Sequence, residues 1–329
     1  MKIAIVKLSA MGDIIHAMVA LEFIKKHNPD IKIDWVVENA FVPILEGNPN
    51  IDNILPVNLK AIKKNKRELL AQIKLVKEYA KNSYDMVIDA QGLLKSSIVA
   101  KILGQKVAGF SKNSIREGIA SYGYDIKVDI PYDANTIDRN AKVLSAPLGF
   151  EITRDDILNK KPFLYYQKSD KVDSLLDREK KNIVFVIGST WESRNYPKEK
   201  FAKIADELKE NILVVWGSEE ERLRAKWIEK NSVYVKATPK LTLNELKELI
   251  SKSDLTIGND TGPTHMAWGF NRPSVTIFGP TPISRVYITA INKVVKSSSK
   301  VDPYKLDKND FSICEIDIYE IIKLVKKLL

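Results

Sequence analysis

The sequence predicts an α/β protein made of two Rossmann-like domains. Short apolar, β-rich runs alternate with amphipathic helical segments from the first residue. The alternation blurs between about residues 138 and 180 and then restarts. A length of 329 residues also favours two domains over one.

The first series opens with KIAIVK (2–7) as a strand and a helix over 13–27. KIDWVV is the next strand, and YDMVID (84–89) is another, preceded by a long basic helix. This alternation indicates parallel βαβ units. The second series runs NIVFVIG (182–188), ILVVWG, VYVK, LTIGN and PSVTIFG, with helices between. One of these helices opens on a capping box, Thr242-Leu-Asn-Glu245. The division is expected near residue 165, giving domains 1–165 and 166–329. Two such domains leave a cleft between the carboxyl ends of their strands. The last helix, from about Asp317, carries Lys323, Lys326 and Lys327.

Composition narrows the function classes. With 44% apolar and 29% charged residues the chain has an ordinary globular make-up. A single cysteine, Cys314, excludes an internal disulfide and fits a reducing cytoplasm. Three histidines and one cysteine are too few for a His/Cys zinc cluster. No two aspartates lie two positions apart, so an Asp-x-Asp pair for a divalent ion is missing. No metal or cofactor is expected. Met1-Lys2 leads straight into IAIV, so no signal peptide is expected, and no apolar run has the length of a membrane span. The net charge of +10 is compatible with an anionic partner, although taken alone lysine-rich solubility explains it better. No nucleic-acid motif accompanies it, so no nucleic-acid partner is expected.

Three loops of the second series follow strand ends. In IGNDTGPTHMAWG, Thr261 and Gly262 turn into a helix whose first N–H groups lack helical partners and favour a phosphate. Pro263 suits the first turn, and Asp260 and His265 lie beside it. Taken singly, Asp260 or Thr261 is an ordinary cap and His265 a surface residue. The loop GSTWESR (188–194) brings Ser189, Thr190 and Arg194, a set suited to an anion. In WGSEEER, the acids favour the helix dipole, and one of them also suits ribose hydroxyls. Together these loops suit a nucleotide diphosphate.

The first series offers KLSAMGD (7–13), where a carboxylate stands at the place a phosphate would take. With the diphosphate on the second domain, Asp13 is placed to take a proton from an attacking hydroxyl. As a helix cap it reads equally well. DAQGLLKS (89–96) supplies Gln91 and Lys95 at another strand-to-helix junction, and Lys60, Lys63, Lys64, Lys66 and Arg67 form a basic run. A nicotinamide-dependent oxidoreductase would carry G-x-G-x-x-G after the first strand, which KLSAMGD lacks. A non-catalytic binding module using the same loops remains an alternative.

The motifs KLSAMGDIIHAM, DWVVE, VIDAQGLLKS, VWG, NDTGPTHMA and IFGPT together resemble the lipopolysaccharide heptosyltransferases, glycosyltransferase family 9, over nearly the whole chain. The resemblance implies a GT-B enzyme that inverts the anomeric centre without a metal. The donor it implies is ADP-L-glycero-D-manno-heptose. The acceptor is the Kdo (3-deoxy-manno-octulosonic acid) of Kdo-lipid A, on the cytoplasmic face of the inner membrane, where the enzyme sits peripherally. Addition of the second heptose is the alternative within the family. By position, Asp13 resembles the general base. Ser189, Thr190, Arg194, Glu221, Lys240, Leu241, Asp260, Thr261, Gly262 and His265 resemble the donor site, with Glu220 close enough to be confused with Glu221. Gly12, Lys60, Lys63, Gln91, Lys95 and Arg116 resemble the acceptor site. Relatives carry Thr-Thr at 189–190 and Lys-x-Trp-Pro at 194–197; here Arg194 keeps the charge with a different geometry. The resemblance further implies that the last helix, about 316–329, crosses back onto the first domain.

Overall fold

The computed structural model of the chain describes every residue except Lys64, and the main chain but not the side chain of Lys63. It forms two compact units, Met1–Phe163 and Leu164–Leu329. Among the described residues each unit holds one six-stranded parallel sheet.

In the first unit the strands are β1 (Lys2–Val6), β2 (Lys32–Glu38), β3 (Asn53–Val57), β4 (Met86–Asp89), β5 (Val107–Phe110) and β6 (Ile126–Val128). Their spatial order is β3-β2-β1-β4-β5-β6. The strands β1, β2 and β4 are apolar runs because helices cover both faces of the sheet. Val6, the last residue of β1, pairs with Val36 on one side and Asp89 on the other. The strand order reverses between β1 and β4, so their carboxyl ends flank the crevice where such sheets bind ligands. That crevice is bounded by residues 7–13 and 90–94.

The second unit contains β7 (Asn182–Val186), β8 (Asn211–Val215), β9 (Val235–Ala237), β10 (Leu255–Asn259), β11 (Ser274–Phe278) and β12 (Asn292–Lys296). Its order, β12-β11-β10-β7-β8-β9, repeats the topology of the first. The reversal here lies between β7 and β10, and places the loops 187–196 and 260–262 side by side. The expected capping box is formed: Thr242 Oγ1 accepts from the Glu245 N–H, and Glu245 Oε2 accepts from the Thr242 N–H.

Two expectations are corrected. The helix expected over 13–27 is two helices, Met11–Met18 and Ala20–His27. The last helix, Ile318–Leu328, packs within the second unit, against β11, β12 and the helix Lys198–Leu208. The reason is its apolar stripe. Ile321, Ile322 and Val325 are buried in one cluster with Phe201, Ile277 and Ile313, while the lysines face outward. Among the described residues no helix is long and apolar enough to cross a membrane.

Truncating this stripe tests the packing. Ile321→Ala is expected to cost about 2–5 kcal/mol by urea denaturation, the range for a buried isoleucine. A loss below about 0.5 kcal/mol, typical of surface positions, would contradict it.

Candidate active site

The crest of the first sheet is organised by Asp89, the last residue of β4, which is fully buried. Its Oδ1 accepts from the N–H groups of Gln91 and Gly92, at 2.9 and 3.1 Å. Its Oδ2 accepts from Ser96 Oγ at 2.8 Å and from the Tyr124 hydroxyl at 2.7 Å. Burial pushes the Asp89 carboxyl up, and these neutral donors only partly offset that. Tyr124 reaches Asp89 by lying across Gly109, where a β-carbon would overlap its ring. Gly92 turns the chain with φ of 70°.

Gln91 was expected at the acceptor. Its side-chain oxygen accepts from the Leu8 and Ser9 N–H groups, at 3.0 and 3.1 Å. It therefore ties the loop after β4 to the loop that carries Asp13. Lys7 adds a second tie: its buried ammonium donates to Ala90 O and Asn140 Oδ1, at 2.7 and 3.0 Å. Gly12 is buried at the start of the helix, and Asp13 stands one residue further. Asp13 Oδ2 accepts from the Ala10 N–H at 3.2 Å, so the carboxylate reaches back over its own helix start.

Glu38, the last residue of β2, was not singled out from the sequence. It is 2% exposed, and its backbone N–H donates to Leu8 O in the Asp13 loop at 3.2 Å. Burial pushes its carboxyl up, while Lys95 and Lys60 oppose the shift. Its Oε1 has no hydrogen-bond partner among the described residues. The structure thus brings two of the expected acceptor lysines to one buried acid. Lys60 also lies over the Phe41 ring, 5.1 Å from its centroid. Arg116 is exposed beside Glu117, whose Oε2 accepts from the Leu94 N–H at the start of the Lys95 helix. The side chain of Lys63, and all of Lys64, lie outside the described residues.

The crest of the second sheet is organised by Asp260, one residue beyond β10 and 2% exposed. Its Oδ2 meets Arg194 Nη2 at 2.9 Å, Arg285 Nε at 3.2 Å and the Thr281 hydroxyl at 2.9 Å. Its Oδ1 meets His265 Nε2 at 3.1 Å. Arg194 also donates to the Asp260 carbonyl. Burial opposes ionisation of this carboxyl, but the charges of Arg285 and Arg194 and the His265 contact outweigh it. They hold it well below the usual carboxylate range. Asp260 was expected at the donor site. Its oxygens are committed to cations and a hydroxyl, so it positions those groups. His265 is buried against Asp260 rather than lying at the surface. Arg285 and Thr281 were missed: Thr281 closes the IFGPT motif without having been singled out, and Arg285 lies four residues beyond it with no periodic signal of its own.

Around this hub Thr261 caps the helix Gly262–Gly269, and Thr264 Oγ1 donates to Asn259 O at 2.8 Å. Asn259 joins the two crest loops: its Oδ1 accepts from the Tyr196 N–H, and its Nδ2 donates to Ile187 O. Arg194 lies over the Trp191 ring at 5.5 Å. Ser189 and Thr190 precede it in the same loop, and Ser189 Oγ is buried with no partner among the described residues. Glu221 Oε2 accepts from the Gly217 N–H at 2.6 Å, and its Oε1 lies where a β-carbon on Gly188 would be. Glu220 points elsewhere, pairing with Arg224 at 2.7 Å. The geometry thus separates the two acids and sets Glu221 against the β7 loop. Lys240 donates to Gly217 O at 2.8 Å and lies over the Trp216 ring, with Leu241 following it. Among the described residues no group of three or more His, Cys, Asp or Glu is arranged to hold a metal.

The Asp260 cluster gives the fold a defined acid sensitivity. The folded carboxyl titrates below its unfolded value near pH 4, so its contribution is complete above that and is lost as pH falls. Asp260→Asn is expected to lower stability at neutral pH by about 3–5 kcal/mol. It should also flatten the loss of stability between about pH 5 and 2. Denaturant midpoints measured across that range check both.

Comparison with known proteins identifies the family. The sequence profile of Glycosyltransferase family 9 (heptosyltransferase) matches residues 72–310. Lipopolysaccharide heptosyltransferase 1 of Campylobacter coli is 39% identical, the match covering 100% of this chain and 99% of that protein. The Escherichia coli K12 protein of the same name is 29% identical over 85% of this chain and 88% of its own. Among solved structures, E. coli heptosyltransferase WaaC with ADP superposes with a TM-score of 0.80 at 23% identity, covering 100% of both chains. WaaC with ADP-2-deoxy-2-fluoro heptose gives 0.78 at 24% identity, over 98% of this chain and 99% of that one. At these identities the two structures establish the GT-B fold. The profile match over most of the chain and the full-length relative go further: the chain is a glycosyltransferase and belongs to glycosyltransferase family 9, the heptosyltransferases.

Proposed function

We propose that the chain transfers L-glycero-D-manno-heptose from ADP-heptose to the Kdo of Kdo-lipid A, in synthesis of the lipopolysaccharide inner core. The observation that carries this reading is the contrast between the two crests. The second gathers Arg194, Arg285 and His265 on one buried carboxylate at a helix start. The first presents the carboxylate of Asp13 at the helix start that follows β1. An ADP-sugar needs cations at its diphosphate, and the hydroxyl that displaces that diphosphate from the anomeric carbon needs a base; the second crest suits the first need and Asp13 the second.

In this reading the unit Leu164–Leu329 takes the donor and the unit Met1–Phe163 takes the acceptor. Arg194 and Arg285, with Ser189, Thr190 and the N–H groups of Thr261 and Gly262, hold the diphosphate. Glu221 accepts from the ribose hydroxyls, and Lys240 and Leu241 border the adenine beside Trp216. On the first unit Lys60, Lys63, Lys95 and Arg116 meet the anionic acceptor near Gly12, with Glu38 fixing Lys60 and Lys95. Gln91 acts through the Asp13 loop.

The reaction is a single displacement. The acceptor hydroxyl oxygen attacks the anomeric carbon, its proton passes to Asp13, and the bond to the diphosphate oxygen breaks with inversion. Negative charge grows on the leaving diphosphate, where the Arg194 and Arg285 charges stabilise it without a bound metal. The acceptor is anchored in lipid, so the enzyme works peripherally on the cytoplasmic face of the inner membrane.

ADP release from ADP-heptose on addition of Kdo-lipid A tests the activity; binding of ADP-heptose without release would leave a binding module instead. Acceptors with and without a first heptose separate this reaction from addition of the second. Asp13→Ala is expected to keep ADP-heptose affinity and lose about 10²–10⁴-fold in turnover. Near-normal turnover by that variant would refute the role of the acid. Arg285→Gln and Arg194→Gln are each expected to weaken ADP about tenfold or more and leave adenosine binding unchanged. Isothermal titration of both ligands reads that difference.

A further inference from the structure

The first unit carries an unpartnered surface that the transfer reaction does not use. Among its described residues eight large apolar side chains are exposed, and six lie on three adjoining elements. Leu69 and Leu70 open the helix Glu68–Ala80, Leu94 and Ile98 lie on the helix Leu94–Leu103, and Ile119 and Tyr122 lie on the turn Gly118–Gly123. Each of the six is 45% to 74% exposed. The two helices pack side by side, and the turn packs on the second of them. Ser97 Oγ donates to Ala120 O at 3.0 Å, which fixes the turn beside that helix.

The same face is basic. Lys66, Arg67, Lys74, Lys77 and Lys112 are all exposed on or beside these elements. On the first helix Leu70, Lys74 and Lys77 follow helical spacing, and on the second Leu94, Ile98 and Lys101 do the same. Of the nearby acids, Glu78 pairs with Lys81, Asp125 with Lys101, Glu117 accepts from the Leu94 N–H, and Glu68 stands in the first turn of its own helix. Apolar tips scattered among lysines, with positive charge in excess, match anionic headgroups over acyl chains. Both helices follow parallel strands, so their first turns lie at the carboxyl end of the sheet, where Asp13 stands.

We propose that the face formed by Glu68–Ala80, Leu94–Leu103 and Gly118–Gly123 docks on an anionic phospholipid bilayer. Leu69, Leu70, Leu94, Ile98, Ile119 and Tyr122 enter the headgroup boundary, and the lysines pair with lipid phosphates. The inference deepens the proposed function and rests on its lipid-anchored acceptor. Docked this way, the Asp13 loop lies beside the layer from which the acceptor headgroup projects.

Flotation of the full chain with vesicles tests it. One set is phosphatidylcholine alone, the other phosphatidylcholine mixed with phosphatidylglycerol. The wild type is expected to float with the anionic set only, and less so as salt rises. The double variant Ile98→Glu with Ile119→Glu is expected to bind at least about tenfold more weakly. Both positions are exposed, so its melting temperature and ADP affinity should match the wild type. Equal binding by the variant, or no binding by the wild type, overturns the proposal. So does self-association through this face without lipid binding, which sedimentation would detect. ADP release with a Kdo oligosaccharide stripped of acyl chains is read in parallel. Failure there counts against the transfer reaction, whereas failure of flotation counts against the face.

Discussion

Each sheet ends its central crevice on a buried carboxylate, and what surrounds that carboxylate sets the character of the unit. Asp89 ends β4, and Asp260 directly follows β10, the strand in the same topological position. Asp89 is met by a phenol, a hydroxyl and two peptide N–H groups, none of them charged. Asp260 is met by two guanidinium groups, an imidazole and a hydroxyl. Burial penalises both anions, and only the second has charges strong enough to overcome it. One carboxylate is therefore held by neutral donors alone. The other keeps cations gathered around it at the crest.

The loops above these carboxylates are held together by amide side chains. Gln91 spans from the β4 loop to the β1 loop in one unit. Asn259 spans from the end of β10 to both ends of the loop after β7 in the other. A carboxamide suits the task because it satisfies backbone groups without adding charge. In both units the residues that meet solvent at the crest thus stand on ordered backbone. That is what a reacting group needs if its geometry is to be set before its partner arrives.

Much of the architecture was legible in the sequence, because strands buried on both faces read as continuous apolar runs. The strands that escaped notice were β3, β5, β6 and β12. Three of them lie at sheet edges, where Pro56 is tolerated in β3, and β5 is broken in pattern by Gly109. The packing of the last helix on the first unit was expected from the family resemblance alone; its own stripe specifies burial but not against what. Motifs at strand ends found Asp13, Arg194 and Asp260. They did not show that Asp260 faces inward, since that depends on Arg285 and Thr281 arriving from a later loop. Glu38 carried a usable signal, an acid directly after the apolar run Trp35-Val36-Val37.

Tyr124 lies where a side chain at position 109 would have to go, and its hydroxyl is one of four donors on Asp89. Positions 89, 109 and 124 consequently cannot drift independently. A methyl group at 109 evicts the ring, and losing the ring strands a desolvated oxygen. Among divergent chains of this fold, covariation of these three sites would be the trace of that coupling, even where none of the three touches a ligand.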